Sequence, residues 1–502
     1  MHLGKNTIER KRTVFENIER MKNEEVYKLE NINLFKKIFF SLKKHRFLML
    51  CDLGVTSKII PEFRKIENLP QFDRFHSLTV GQHTLEALSL LKDLKKKERR
   101  KDNYKLFYRE LQKEYNYRAL FFAILLHDIG KGRGGNHQIK GSKIAKKILI
   151  RLHEKLNIVN ETAWLINNHS LLSDYAFNKD LEDYSVIRSV SKKINNMTRL
   201  RTLYLLTVTD ISAVDEGLWN NWKASLLGQL FLKIESQIKN PKKIQTLNER
   251  IANIKSNILK KSRLISRTKL ESIARITYPN YWLLQSQEMI TYQIEKFLLK
   301  KKFNDFSFKI EKASKNKFHD LVLVTKDRPK LFLDIISIFA VMNISIFEAR
   351  IFTLDDGTVI DTFKFSLNEN KYFTKTDISR AVNSLEDKLN SLKKQNKIKI
   401  KIKSNFKRKL VHNSVDVEID NNTSSTYTIL LVRTNNRPKL LYEISNILLK
   451  NRMVISMAKI STHGNFVEDS FHLRSQYGLK IENKKLLERI TDEIKNQLGQ
   501  MD

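Results

Sequence analysis

A single cysteine, Cys51, stands among 502 residues. One thiol excludes an intramolecular disulfide framework and fits a reducing compartment, so the sequence predicts a cytoplasmic protein. Long apolar runs are missing as well. The strongest, Ala119–Leu126, falls far short of the roughly 20 residues needed to cross a bilayer. The first twenty residues are charged throughout and lack the apolar centre of a signal peptide. Acidic residues are scarce: Asp and Glu number 55 against 92 Lys and Arg, a formal charge of +37. Such an excess attracts nucleic acid or anionic surfaces when it is concentrated. Here it is spread along the chain with Ile, Asn and Phe. There is no basic stripe interleaved with aromatics and no helix-turn-helix or zinc-finger spacing, so neither a nucleic acid nor a membrane is expected as partner.

What is present is enough for several cores. Hydrophobic residues make up 41% of the chain, and its length predicts two to four domains. Residues 1–70 read as polar helices punctuated by Pro61 and Pro70. From about 71 to 235 apolar residues recur at three- and four-residue spacing, which predicts helices over Val80–Leu94, Arg118–His127, Gly141–Leu156, Glu161–Leu172 and Thr198–Val214. Lys-rich helices continue over 236–310, interrupted by Tyr278-Pro279-Asn280-Tyr281-Trp282.

The period then changes. Leu321–Val324 reads as a strand, with a helix over Leu331–Met342 for which Pro329 supplies the start signal. Strands over Ile344–Phe352 and Thr358–Leu367 flank the hairpin signal Asp355-Asp356-Gly357. A helix near Asp377–Lys394 and a strand at Lys397–Lys403 complete a β-α-β-β-α-β order, the ferredoxin-like arrangement. The unit repeats. Arg328-Pro329-Lys330-Leu331 returns as Arg437-Pro438-Lys439-Leu440, and Ala349, Ile351 and Thr353 return as Ala458, Ile460 and Thr462. The copies occupy 318–403 and 412–502. The second ends in a helix near Lys484–Leu498, and Val415–Ile419 is a candidate extra strand.

The chemistry concentrates in His127-Asp128-Ile129-Gly130-Lys131-Gly132-Arg133-Gly134-Gly135-Asn136-His137. Imidazole and carboxylate are ligands for divalent metals, and a buried Asp128 needs a counter-charge. Further candidates lie on other helices: His83, His169 after Asn167-Asn168, and Asp210 inside the apolar run Leu203–Ile211. His153 has no such context. Singly each histidine reads as structural; together, several helices delivering ligands to one centre predict a metal site.

His83, His127-Asp128 and Asp210 reproduce the H…HD…D pattern of the HD phosphohydrolase superfamily. The stretches Phe72–Thr84, Leu125–Gly135, Ala163–Ile166 and Trp219–Lys223 closely resemble the bacterial bifunctional uridylyltransferase/uridylyl-removing enzymes, which modify the PII nitrogen-signalling protein. The resemblance runs from about residue 50 to the C-terminus, Tyr281-Trp282-Leu283 being similar to that family's connector. It implies an all-α HD-type metal-dependent domain followed by two ferredoxin-like ACT domains. It also implies hydrolysis of uridylyl-tyrosine on uridylylated PII, releasing UMP, with glutamine as effector. On this reading His83, His127, Asp128 and Asp210 hold a first metal, and His137 and His169 a second bridged by Asp128. Mn or Mg is favoured, with Fe and Zn as alternatives. Asp128 and Lys131 are the catalytic candidates. Lys131, Arg133 and His76 are the candidates for the phosphate, and Asp327, Arg328, Asn436, Arg437 and Lys439 for an ACT ligand.

Two departures qualify the resemblance. Residues 1–70 contain only Gly4 and Gly54 and no Asp-x-Asp pair, so the nucleotidyltransferase signature is absent from this sequence. The expectation is a deuridylylase, or one piece of an enzyme whose transferase is encoded separately. Lys439 stands where the family usually has glycine, which weakens the expectation of glutamine sensing. Two other readings are a guanosine tetraphosphate-type alarmone hydrolase and a non-catalytic sensor of glutamine or PII. The first joins HD and ACT domains but lacks the tandem pair and the Trp219–Lys223 segment.

Overall fold

The computed structural model describes residues 16–17, 20–41, 44–70, 78–95, 102–214, 219–240, 247–299, 306–312, 318–328, 330–342, 344–366, 375–395, 415–435, 440–463 and 466–499. The chain forms two compact units, one built on residues 1–174 and 191–238, the other on 175–190 and 239–502.

The first unit is helical. Its centre is the helix Tyr117–Leu126, in which every residue from Ala119 to Leu126 is buried. A helix that is apolar on all sides has no solvated face and must be surrounded. Asn116 starts it, its side chain accepting from Ala119 N. The short helices between Asn23 and Glu67 belong to this same unit. Phe39 stacks on Phe122 at 5.4 Å and meets Phe121 edge-on at 6.0 Å. Each such buried ring contributes roughly 1.5–3 kcal/mol, so this segment completes the core.

Around the centre lie the helices Val80–Lys95, His137–Arg151, Leu156–Asn167 and Met197–Val214. Two differ from the periodicity reading. The helix expected at Gly141 begins four residues earlier, at His137, because Asn136 caps it by accepting from Gln138 N and Ile139 N. The helix expected over Glu161–Leu172 is two helices separated by a turn at Asn168–Ser170.

The second unit carries an eight-stranded antiparallel sheet. Its strands are β1 (Ser307–Lys312), β2 (His319–Lys326), β3 (Ser345–Thr353), β4 (Thr358–Ser366), β5 (Asp416–Asp420), β6 (Thr428–Asn435), β7 (Met453–His463) and β8 (Phe466–Ser475). Their order is β1-β2-β4-β3-β7-β8-β6-β5. Each repeat thus has the strand-helix-strand-strand-helix core read from the sequence, preceded by one further strand. β5 is the extra strand suspected at Val415–Ile419. β1 was not foreseen and replaces the end of the expected 236–310 helical stretch. The expected strand Lys397–Lys403 lies outside the described residues.

The helices Leu331–Val341, Lys375–Gln395, Leu440–Lys450 and Lys484–Gly499 share one hydrophobic core with one face of this sheet. The opposite face of the first repeat receives the connector: Ile258, Tyr281, Trp282 and Ile290 pack with Val322, Val324, Phe352 and Ile360. Successive strand residues point to opposite faces, so β2 is buried on both sides. This is why Leu321–Val324 is uninterruptedly apolar rather than alternating.

The segment Tyr175–Val190, expected within the helical domain, belongs to this sheet unit. Arg350 on β3 pairs with Asp180 through both carboxylate oxygens, at 2.9 and 3.2 Å, and with Glu348 at 2.6 Å. Lys459 on β7 donates to the carbonyls of Ala176 (3.0 Å) and Lys179. Ser470 donates to Asn178 O, and Ser424 to Asp183. Charges buried this deeply are tolerated because each is paired.

Candidate metal centre

His83 stands in the first turn of its helix and Asp210 toward the C-terminal end of its own, while His127-Asp128 follow directly on Leu126 at the end of the buried helix. His83, His127 and Asp128 are all buried. His83 Nε2 lies 2.9 Å from Asp210 Oδ1. His127 Nδ1 donates to Ile124 O at 2.9 Å. That bond fixes the tautomer, leaving the Nε2 lone pair directed inward. Nε2 sits 3.2 Å from Asp128 Oδ2 and 3.3 Å from Asp210 Oδ1, without the geometry of a hydrogen bond. Three acceptors therefore converge, and only a proton or a metal cation reconciles them.

The electrostatics express the same demand. Burial alone would lower the His127 pKa, but Asp128 and Asp210 raise it well above the imidazole range. Burial would raise both carboxyls, yet the His127 imidazole, with Lys131 beside Asp128, holds them well below the usual carboxylate range. Asp128 Oδ1 is buried with no hydrogen-bond partner among the described residues. An orphaned carboxylate oxygen beside imidazole nitrogen suits a divalent ion.

A second group adjoins the first. Candidate ligand atoms of Asp128, His137 and His169 all lie within 4.8 Å of one another, as do those of His83, His127 and Asp128. Asp128 belongs to both groups and is placed to bridge. His169 Nδ1 donates to Ile166 O at 2.8 Å, again freeing Nε2. Burial lowers the pKa of His137 and of His169, favouring the neutral, ligating form.

Backbone packing makes the approach of these groups possible. A Cβ on Gly130 would stand 2.1 Å from His137 O, and one on Gly81 2.5 Å from Glu67 O. Gly132, Gly134 and Gly135 have φ of +69°, +68° and +61°, the left-handed region where side chains are strained.

The other expected site residues divide. Lys131 Nζ is 2.8 Å from Asp128 Oδ2, at the edge of the centre. Arg133 instead donates to the carbonyls of Ile129 and Glu62, so its guanidinium holds the glycine-rich loop to the N-terminal segment. His137 is not in a glycine-rich turn but is the first residue of its helix. His76 lies outside the described residues. In the first repeat Asp327 N bonds Gly357 O, and Arg328 pairs with Asp334 at 2.7 Å. Lys330 takes φ +64°, so the glycine-like demand at this turn is one of backbone conformation. Asn436, Arg437 and Lys439 lie outside the described residues. Sequence reading missed Asn136, although an Asn directly before a periodic apolar segment is a cap signal. It also missed Gln138 and Ser170, neighbours of ligands that carry no signal of their own.

Residues 80–210 match the HD domain family, and residues 423–500 match the ACR family N-terminal ACT domain. The chain is 30% identical over 462 residues to the bifunctional uridylyltransferase/uridylyl-removing enzyme of Azospirillum brasilense, covering 89% of this chain and 48% of that protein. The enzyme of the same name from Rhodospirillum rubrum is 28% identical over 475 residues, 93% of this chain and 50% of that one. That of Ruegeria pomeroyi is 30% identical over 442 residues, 86% and 48%. The chain thus spans about half the length of the curated relatives it matches.

Proposed function

We propose that this chain, a homologue of the uridylyl-removing enzymes across its HD and ACT regions, is a metal-dependent phosphodiesterase that releases UMP from uridylyl-tyrosine on PII. The observation that carries the reading is the pair of candidate ligand groups sharing Asp128, whose Oδ1 has no hydrogen-bond partner among the described residues.

His83, His127, Asp128 and Asp210 would hold one ion, and Asp128, His137 and His169 a second, with Mn and Mg best suited to the carboxylate share. Such ions supply Lewis acidity toward phosphoryl oxygens and lower the pKa of a water nucleophile toward neutrality. The protein's own part is to orient and to balance charge. Ile124 O and Ile166 O fix the imidazoles of His127 and His169 in the ligating tautomer. Lys131 adds to the larger effect of His127 in keeping Asp128 ionised, and offers positive charge at the edge of the centre, where a phosphodiester oxygen would lie. The tyrosine leaving group, of pKa about 10, departs without a dedicated general acid. The tandem ACT repeats would serve as the regulatory module, with glutamine as effector and the turn at Asp327–Lys330 as one contact.

The test supplies purified chain and Mn²⁺ with uridylylated PII and measures UMP, with and without glutamine, beside Asp128→Ala. Release by the wild type that is abolished in the variant supports the reading. No UMP, equal release by both proteins, or pyrophosphate released from an alarmone instead, overturns it.

A further inference from the structure

We propose that Gln138 and Ser170 are positioning residues that set the separation of His137 and His169, and thereby the affinity of the second ion. The inference rests on the two-group reading of the metal centre.

The two ligand groups are braced differently. In the first, His83 bonds Asp210 directly, and Asp210 also approaches His127, so ligands hold ligands. In the second, the His169 ring makes one hydrogen bond among the described residues, to Ile166 O in its own turn, while its backbone carbonyl accepts from Thr207 Oγ1 at 3.5 Å. The His137 ring has no hydrogen bond among the described residues and meets His169 only through ring contact, with centroids 5.5 Å apart. His137 is also the first residue of its helix, where backbone N–H groups lack partners within the helix and the end frays. His169 sits in the turn between the helices Leu156–Asn167 and Leu171–Asn178.

The residues that follow these two histidines are joined. Gln138 Nε2 donates to Ser170 Oγ at 2.8 Å, and Ser170 Oγ donates to Asp174 Oδ2 at 2.7 Å. The Ser170 hydroxyl accepts one bond and donates the other, so its orientation is determined. Gln138 is itself anchored at the helix start by Asn136 Oδ1 on its backbone N–H, at 2.9 Å. The chain Asn136–Gln138–Ser170–Asp174 links the beginning of one helix to the turn before another, one residue beyond each ligand. Groups that hydrogen-bond a ligating side chain typically change metal affinity 10- to 100-fold when removed, and this brace, acting through the backbone one residue from each histidine, is expected to fall within the same range.

The experiment titrates Mn²⁺ into the metal-free full chain by calorimetry, with the spin coupling of the bound pair read by electron paramagnetic resonance. Wild type, Gln138→Leu, Ser170→Ala and Ser170→Thr are compared. The expected result is two ions in the wild type. The second binds about 10- to 100-fold more weakly in Gln138→Leu and Ser170→Ala, with loss of the coupled signal at one-to-two loading and an unchanged first ion. Ser170→Thr retains the hydroxyl and keeps wild-type binding. A wild type that takes up one ion overturns the proposal. So do Leu and Ala variants that bind both ions like the wild type, a first ion weakened as much as the second, or a Thr variant as impaired as the Ala one. Ion binding is measured without substrate, so a wild type inactive on uridylylated PII would sink the proposed function and leave this inference standing.

Discussion

Ala349 and Ala458, equivalent positions of the two repeats, are cross-strand partners at the centre of the sheet, where β3 meets β7. Both are fully buried. The repeats therefore join edge to edge about a local pseudo-twofold, and only small side chains occupy its axis. Ala458→Leu adds volume to a closed seam and is expected to cost about 1–3 kcal/mol. Urea denaturation followed by tryptophan fluorescence checks it, and an unchanged midpoint would show that the seam opens freely.

Gly130 fixes where the His137 helix begins relative to Asp128, since a Cβ there would stand 2.1 Å from His137 O. The neighbour is backbone and cannot swing aside. Gly130→Ala is expected to lose about 1–3 kcal/mol of stability and to weaken the second ion more than the first. Thermal denaturation together with metal content after dialysis measures both.

Lys131 meets the candidate metal centre at Asp128 Oδ2, 2.8 Å from its Nζ. Lys131→Met removes a positive charge where the phosphodiester would sit, an effect worth about 10²- to 10³-fold in kcat for a comparable electrostatic donor. Steady-state release of UMP from uridylylated PII checks this. A variant with unchanged kcat and raised KM would reassign Lys131 to ground-state binding.

His472 is fully buried on β8, beside Asn178 O and Ser470. Burial pushes its pKa from 6.5 down to about 3, although Asp180 pulls the other way. Between those values the unfolded chain binds a proton that the folded chain does not. Stability from this residue is therefore complete above about pH 6.5 and is lost as pH falls toward 3, with a slope approaching 1.4 kcal/mol per unit. As pH is lowered from 7 to 5, urea midpoints should fall more steeply in the wild type than in His472→Gln. Parallel curves would refute the assignment.

The candidate metal centre could be read from the sequence as a set of residues because imidazole and carboxylate stand out against apolar helices. The structure brings His83, His127, Asp128, Asp210, His137 and His169 together. The repeats were legible because Ala349 and Ala458 stand in copied contexts. That Arg133 donates to the carbonyls of Ile129 and Glu62 was not legible, since a cation in a glycine-rich loop looks the same in sequence whether it faces a substrate or a carbonyl. β1 was missed although Phe306, Phe308 and Ile310 alternate with Ser307, Lys309 and Glu311, a two-residue period, because so short a run was absorbed into the Lys-rich helical stretch before it.

By itself, then, the sequence determined which residues can ligate a metal, where helices yield to strands, and that one unit is written twice. Those properties are local, set by side-chain chemistry and by the 3.6- and 2-residue periods. Only the tertiary structure decided that Asp128 belongs to two ligand groups and that Ala349 meets Ala458. It also decided that Asp180 is neutralised by Arg350, 170 residues away along the chain. Such pairings depend on which surfaces close against each other, and that is fixed by burial and loop closure over long separations.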